Sequence, residues 1–174
     1  MTIKTGETER LILRQFEDRD LQEYAAMLSD SEVVQFLGNG KALTREEAWR
    51  SMAMNLGHWQ LRGFGLWAVL EKASGRLVGR VGLFYPDGWP DIEIGWMLNR
   101  AFWGKGYAIE CAQHAVDCAF NELGLKRVVS VIHPQNLASI KLAEKLGMNC
   151  QGESDIDIDG TLALLYCLEK SAPL

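Results

Sequence analysis

Ile92-Glu93-Ile94-Gly95-Trp96-Met97-Leu98-Asn99-Arg100-Ala101-Phe102-Trp103-Gly104-Lys105-Gly106-Tyr107-Ala108 reads as a strand, a short loop with two glycines and the start of a helix. Gly104 and Gly106 let the backbone come close to a ligand and turn its N–H groups outward. The helix behind them adds unbonded N–H donors and about half a positive charge. Together these make an anion site suited to a pyrophosphate. A loop whose glycines only permit a turn is the plainer explanation, and the stretch alone does not separate the two.

Two other phosphate binders fail on spacing. A dinucleotide-binding fingerprint needs a third glycine three residues after the second, where this chain has Ile109. It also needs a carboxylate on the next strand, which begins at Lys126-Arg127 and runs through valines. A Walker A loop needs a glycine five residues before Gly104 and a hydroxyl residue after Lys105. The chain has Asn99 and Gly106 there.

On either side of this stretch the hydrophobic period changes. Residues 9–16 alternate as a strand, 18–28 read as a helix, and Ser31 is placed to cap a short turn ending at Phe36. Thr44-Arg45-Glu46-Glu47 is a capping box, so a helix is expected over 45–59. Residues 66–71, 77–85 and 91–98 read as strands joined by short turns. A helix over 104–121 closes at Gly124, a valine-rich strand covers 127–133, and a helix over 136–146 ends at Gly147. The tail is a hairpin, 149–158 and 161–169, turning at Asp159-Gly160. This is an α+β domain with a mostly antiparallel sheet of seven strands and about four helices on its faces.

The chain has 174 residues, the length of one domain, and 1–174 carries no internal boundary. It is 48% hydrophobic and 24% charged, which excludes disordered and low-complexity classes. No apolar run approaches the roughly 18 residues of a membrane span, and the polar start, Met1 to Arg10, lacks a signal-peptide core. A cytoplasmic location is expected, with no membrane partner. A net charge of −5 argues against nucleic acid. Cys111, Cys118, Cys150 and Cys167 show no metal or disulfide spacing and read as free thiols. His58 ends a helix, His114 sits mid-helix and His133 ends a strand, so no metal is expected. Asp155-Ile156-Asp157-Ile158-Asp159-Gly160 imitates a calcium loop, but its twelfth position is Tyr166, so it reads as a strand with one charged face.

The ordered set Glu93-Ile94-Gly95-Trp96, Trp103 to Glu110, Asn136-Leu137-Ala138-Ser139, Glu144 to Met148 and the Asp159-Gly160 hairpin resembles the GNAT superfamily of N-acetyltransferases. The resemblance is nearest to the branch that acetylates ribosomal-protein N-termini, and it covers about residues 9–169. It implies a GNAT-like fold whose strands at 92–98 and 127–133 run parallel but splay. It implies acetyl-CoA as cosubstrate, with the pantetheine arm bonded to the backbone of Met97 and Leu98. The pyrophosphate would lie on N–H groups of Trp103, Gly104, Lys105, Gly106, Tyr107 and Ala108, and Asn136 would contact the arm from the other side. Two positions depart from the family pattern. Ala101 replaces its usual Gln or Arg, and Ala143 stands where many members place a tyrosine that protonates the departing thiolate. Ser139 is the substitute the resemblance suggests, with water as the alternative.

Acetyl transfer to an amine needs a neutral amine, a stabilised oxyanion and a leaving thiolate. An α-amino group with pKa about 8 costs roughly 1.4 kcal/mol to deprotonate at pH 7, and a lysine-like amine about 4.6 kcal/mol. Glu93, on the strand beside the acyl group, is the candidate base. A backbone N–H near Trp96 or Met97 would serve the oxyanion. Alternation places Glu93, Gly95 and Met97 on one face of the strand and Ile92, Ile94 and Trp96 on the other. Each candidate also has a plainer role: an exposed strand carboxylate for Glu93, a first-turn serine for Ser139, a helix cap for Asn136. The expected activity is acetyl transfer from acetyl-CoA to a primary amine, a small molecule or a protein N-terminus, in a ternary complex. A homodimer is left open. The competing expectation is a non-catalytic acyl-CoA-binding sensor or scaffold; a nicotinamide-dependent oxidoreductase is disfavoured by the absent third glycine.

Overall fold

The computed structural model describes residues 5–170. Residues 1–4 and 171–174 lie outside them, and with them the first part of the polar start and both ends of the 1–174 domain. The chain begins with β1 (Gly6–Glu7), β2 (Leu11–Arg14), α1 (Leu21–Leu28), α2 (Ser31–Val34) and α3 (Arg45–Arg62). The middle holds β3 (Leu66–Glu71), β4 (Leu77–Phe84), β5 (Glu93–Leu98) and α4 (Tyr107–Asp117). It finishes with β6 (Arg127–Ile132), α5 (Leu137–Lys145), β7 (Asn149–Ile158) and β8 (Thr161–Glu169).

All eight strands join one sheet in the order β1-β2-β3-β4-β5-β6-β8-β7. Every neighbouring pair is antiparallel except β5–β6. The architecture is the expected GNAT-like α+β fold, with one strand more than the pattern predicts. That strand is β1, whose two residues pair Gly6 with Leu13 and Glu7 with Ile12. Two residues are too few to show an alternation.

Helix ends follow local chemistry. The Thr44 hydroxyl accepts from the Glu47 N–H at 3.2 Å and the Glu47 carboxylate from the Thr44 N–H at 2.8 Å, so α3 starts at the expected capping box. It runs one turn beyond the expected end, and His58 is therefore an interior helix residue. The helix expected from Asp18 begins as a tight 3-10 turn, Asp18–Asp20. Asp20 is drawn back there, accepting from the Glu17 N–H at 2.8 Å and pairing with Arg14 at 2.7 Å. Asp30, not Ser31, caps α2, because its carboxylate accepts from the Glu32 N–H at 3.0 Å. Helix α4 starts at Tyr107 and not at Gly104, since Gly104 and Gly106 hold φ of 75° and 79°, outside the right-handed region. It ends at Asp117 and passes into a π-type turn, Cys118–Glu122.

Helices cover both faces of the sheet. On one side Tyr24, Met27 and Leu28 of α1 and Ala48 and Met52 of α3 bury against Ala68, Leu77 and Met97. On the other, Cys111, Ala112, Ala115 and Val116 of α4 and Leu142 and Ala143 of α5 bury against Val69, Val81, Ile94 and Val128. Met97 and Ile94 fall on opposite faces, as the alternation of β5 requires. The four cysteines are free thiols. The acidic stretch 155–158 belongs to β7, and no group of three or more metal-ligating side chains occurs among the described residues. No described helix is long and apolar enough to cross a membrane.

Candidate active site

β5 and β6 touch at one rung, Glu93 opposite Val129, where the Val129 N–H donates to the Ile92 carbonyl at 3.0 Å. Beyond it they part, and two side chains bridge the opening. The buried Ser130 hydroxyl donates to the Ile94 carbonyl at 2.7 Å. The Glu93 carboxylate accepts from the Val131 N–H at 3.2 Å. Buried backbone groups that lose their strand partners thus keep a hydrogen bond.

The carbonyls of Ile92 and Ile94 both point toward β6. By the two-residue alternation of a strand, the backbone groups of Trp96 and Leu98 point the same way. Those of Met97 turn toward β4, where Arg80 is its partner. This corrects the expected pairing of Met97 and Leu98 with an inserted ligand: Trp96 and Leu98 offer the open edge. The Leu98 carbonyl accepts from the Trp103 indole N–H at 2.8 Å, which ties the following loop to the strand.

In the loop, Asn99 accepts from the Ala101 N–H at 3.0 Å and starts a 3-10 turn, Arg100–Phe102. The Trp103 N–H closes that turn on the Arg100 carbonyl at 3.1 Å, so it is not available to a ligand. The N–H groups from Gly104 to Ala108 precede the bond from Glu110 to the Gly106 carbonyl, the earliest α-helical closure at this end of α4. A Cβ at Gly104 would meet nothing within 4 Å, so its surroundings are open. The loop is clamped from behind. Arg10 donates to the Lys105 carbonyl at 2.9 Å and to Glu110 at 2.7 Å, and Thr8 donates to the same carboxylate at 2.5 Å. Burial opposes ionisation of Glu110, but the bonds from Thr8 and Arg10 outweigh it and hold its carboxyl below the ordinary value. The Lys105 ammonium leans over the Phe102 ring at 4.8 Å and lies 3.9 Å from Glu71. Arg10 and Lys105 are thus paired with carboxylates, which leaves the N–H groups of the loop as its unpaired positive ends.

The opening leads into a cavity of 390 Å³. Glu93, Ser139 and Asn136 line it together, with Trp96 and Arg80. Met97 and the loop 103–108 lie outside its lining. Glu93 is half-buried, and Trp89 donates its indole N–H to the carboxylate at 2.8 Å. Desolvation raises the Glu93 carboxyl to about 7, against the bonds from Val131 and Trp89 and the charge of Arg80. Ser139 accepts from the Trp96 indole N–H at 3.0 Å. An indole N–H only donates, so the Ser139 proton is left to point elsewhere. Asn136 caps α5 through its carbonyl oxygen, 3.2 Å from the Ser139 N–H. Its amide N–H groups remain for a ligand. Ala143 is fully buried in the core and brings no hydroxyl to the cavity.

Sequence reasoning missed Trp89, Ser130 and Arg80. Trp89 sits in the loop before β5, four residues from Glu93, and only its contact reveals its part. His58 is a scaffold residue. Its Nδ1 bonds the Phe64 carbonyl at 2.9 Å and its Nε2 accepts from the Tyr85 N–H at 2.9 Å. Burial lowers its pKa, and the ring stacks on Phe84 at 5.2 Å, which in turn meets Trp89.

Comparison with known proteins identifies the family. The acetyltransferase (GNAT) domain profile matches residues 10–149. The Bacillus subtilis (strain 168) protein named Uncharacterized N-acetyltransferase YnaD is 31% identical over 145 residues, covering 83% of this chain and 82% of its own. The acetyltransferase structure from Agrobacterium tumefaciens str. C58 has a TM-score of 0.85 at 28% identity, over 98% of this chain and 96% of its own. RimL, a ribosomal alpha-N-protein acetyltransferase solved with coenzyme A, has a TM-score of 0.79 at 16% identity, over 94% and 96%, which is a likeness of fold.

Proposed function

The chain belongs to the GNAT family of acetyltransferases, and from that premise we propose that it moves acetyl from acetyl-CoA to a primary amine by direct attack in a ternary complex. The observation that supports this reading is a half-buried carboxylate lining the cavity where two parallel strands part, its carboxyl pushed up to about 7 by desolvation. A general base works best with a pKa close to the working pH.

The proposed roles follow from the donors and acceptors left over. The coenzyme arm runs along the open edge of β5, bonded to Trp96 and Leu98, with Asn136 opposite. The diphosphate lies on the N–H groups of Gly104, Lys105, Gly106, Tyr107 and Ala108. The amine enters the cavity, and Glu93 takes its proton directly or through water. The nitrogen lone pair attacks the thioester carbon, and the oxyanion meets the Trp96 N–H. The C–S bond then breaks as the carbonyl re-forms, the Ser139 hydroxyl donates its proton to the departing sulfur, and the proton shed by the acylated nitrogen restores that hydroxyl, directly or through water. An α-amino group, about 3 kcal/mol easier to deprotonate than a lysine-like amine, suits such a base. The acceptor is a small amine or a protein N-terminus.

Glu93→Gln tests the reading. Turnover of an amine panel should fall at least about a hundredfold, the usual scale for a lost general base. CoA affinity by calorimetry should stay unchanged. Unaltered turnover would remove Glu93 from the chemistry, and a parent protein that ignores CoA would remove the coenzyme site. Ser139→Ala should lower turnover in the same way if serine, not water, protonates the thiolate.

A further inference from the structure

Arg80 is the one partly buried arginine among the described residues with no carboxylate within 4 Å. Seven others, among them Arg10, Arg14 and Arg127, pair with Asp or Glu. Arg45 and Arg62 lack such a partner but are exposed. Arg80 lines the cavity instead. Its Nη1 donates to the Tyr24 hydroxyl at 3.0 Å and, at 3.5 Å, to the Ser51 hydroxyl. Asn55 also donates to the Tyr24 oxygen, at 3.4 Å. All these partners are neutral. Both bonds leave from one nitrogen, so the donors on Nε and Nη2 have no described partner.

A guanidinium partly withdrawn from water without a carboxylate in direct contact is costly. Here it is held in place by α1 and α3 and turned to a cavity that takes a substrate. Register puts Arg80 opposite Met97, four residues along β5 from Glu93, and from there its charge still reaches the Glu93 carboxylate. No ion pair joins the two, so each is left to meet its own group on the ligand. Phe36, Phe84 and Trp89 supply apolar wall. We propose that Arg80 binds the anionic end of the acceptor, so that the amine substrate carries a carboxylate separated by an apolar segment from the amino group delivered to Glu93. This deepens the acetyltransferase reading and rests on it.

The carboxylate has two sources, the terminus of a short peptide or an acidic side chain near a protein N-terminus. The test uses neutral twins for each. One arm compares alanyl-phenylalanine with its C-terminal amide. The other compares a ten-residue amidated peptide starting Ala-Glu with one starting Ala-Gln. Binding is read from intrinsic tryptophan fluorescence, since Trp89 and Trp96 line the cavity, with and without CoA. In at least one arm the acid should bind about tenfold tighter than its twin, the scale of one charge-assisted hydrogen bond. Arg80→Met should erase that ratio and Arg80→Lys should keep part of it. Equal binding of acid and twin in both arms overturns the proposal, as does a ratio that survives Arg80→Met. The twin comparison on the parent protein stands even if a variant fails to fold. Loss of the CoA response with the acid preference intact would instead overturn the acetyltransferase reading.

Discussion

β6 treats its two neighbours differently. Toward β8 it pairs along its whole length, from Arg127 with Glu169 to Ile132 with Leu164. Toward β5 it keeps a single rung and then lets go. The closed seam continues the sheet into the β7–β8 hairpin; the open seam leads to the cavity. An open seam needs other partners for its backbone groups, and Ser130 and Glu93 supply them. So one residue, Glu93, both bridges the gap and carries the proposed chemistry, and the half-buried position that makes it useful also makes it unfavourable to ionise.

That conflict gives the largest expected effect on stability. The Glu93 carboxyl titrates at about 7 in the fold against an ordinary 4.5. The folded state therefore holds the proton more tightly than the unfolded chain. Its contribution is full below about pH 4.5 and is lost as pH rises through about 7. The difference corresponds to about 3 kcal/mol. Glu93→Gln, which cannot ionise, should gain stability relative to the parent by that order between about pH 5 and about pH 8.5. Urea unfolding at the two pH values checks it, and a parallel loss in both proteins would refute it. The closed seam should show no such pH signature. There Val128→Ala, at a fully buried site, should cost about 2 kcal/mol at either pH and leave CoA affinity alone. Ser130→Ala sharpens the contrast. It strips the Ile94 carbonyl of its donor and should cost about 1–2 kcal/mol, while also lowering turnover, because Ile94 lies next to the open edge.

The closed seam was also the more legible of the two. The hairpin 149–158 and 161–169 has the expected limits, because Asp159-Gly160 fixes its turn and alternation fixes its faces. The α3 capping box was readable for the same reason, resting on residues close in sequence, and so was the two-glycine loop, although α4 begins at Tyr107 and not at the expected Gly104. The bridges of the open seam were not readable. Ser130 meets Ile94, and Glu93 meets Val131, only once the register of two strands some 36 residues apart is set. Likewise Arg80 reads as one more strand residue until α1 and α3 bring Tyr24 and Ser51 to it. Local signals misled where two side chains competed for one cap, as with Asp30 over Ser31.

The smallest effect compares two glycines with the same backbone need, one in the loop after β5 and one in the β7–β8 turn. Gly104 has φ of 75° and Gly160 has φ of 79°, and a Cβ on either would meet nothing within 4 Å. Alanine at either position is strained by its backbone alone, at about 1–2 kcal/mol. At Gly160, in the β7–β8 turn, that strain has nothing to act on but the hairpin, so Gly160→Ala should lower Tm slightly and leave CoA binding intact. At Gly104 the loop can relieve the strain by leaving the left-handed region, and doing so turns its amides away from the proposed diphosphate site. Gly104→Ala should therefore lose several-fold in CoA affinity for a similar or smaller change in Tm. Calorimetry of both variants beside their melting curves makes the comparison. Equal CoA affinities would mean that the loop's glycines serve only the turn, and the cradle would have to be sought elsewhere along the open seam.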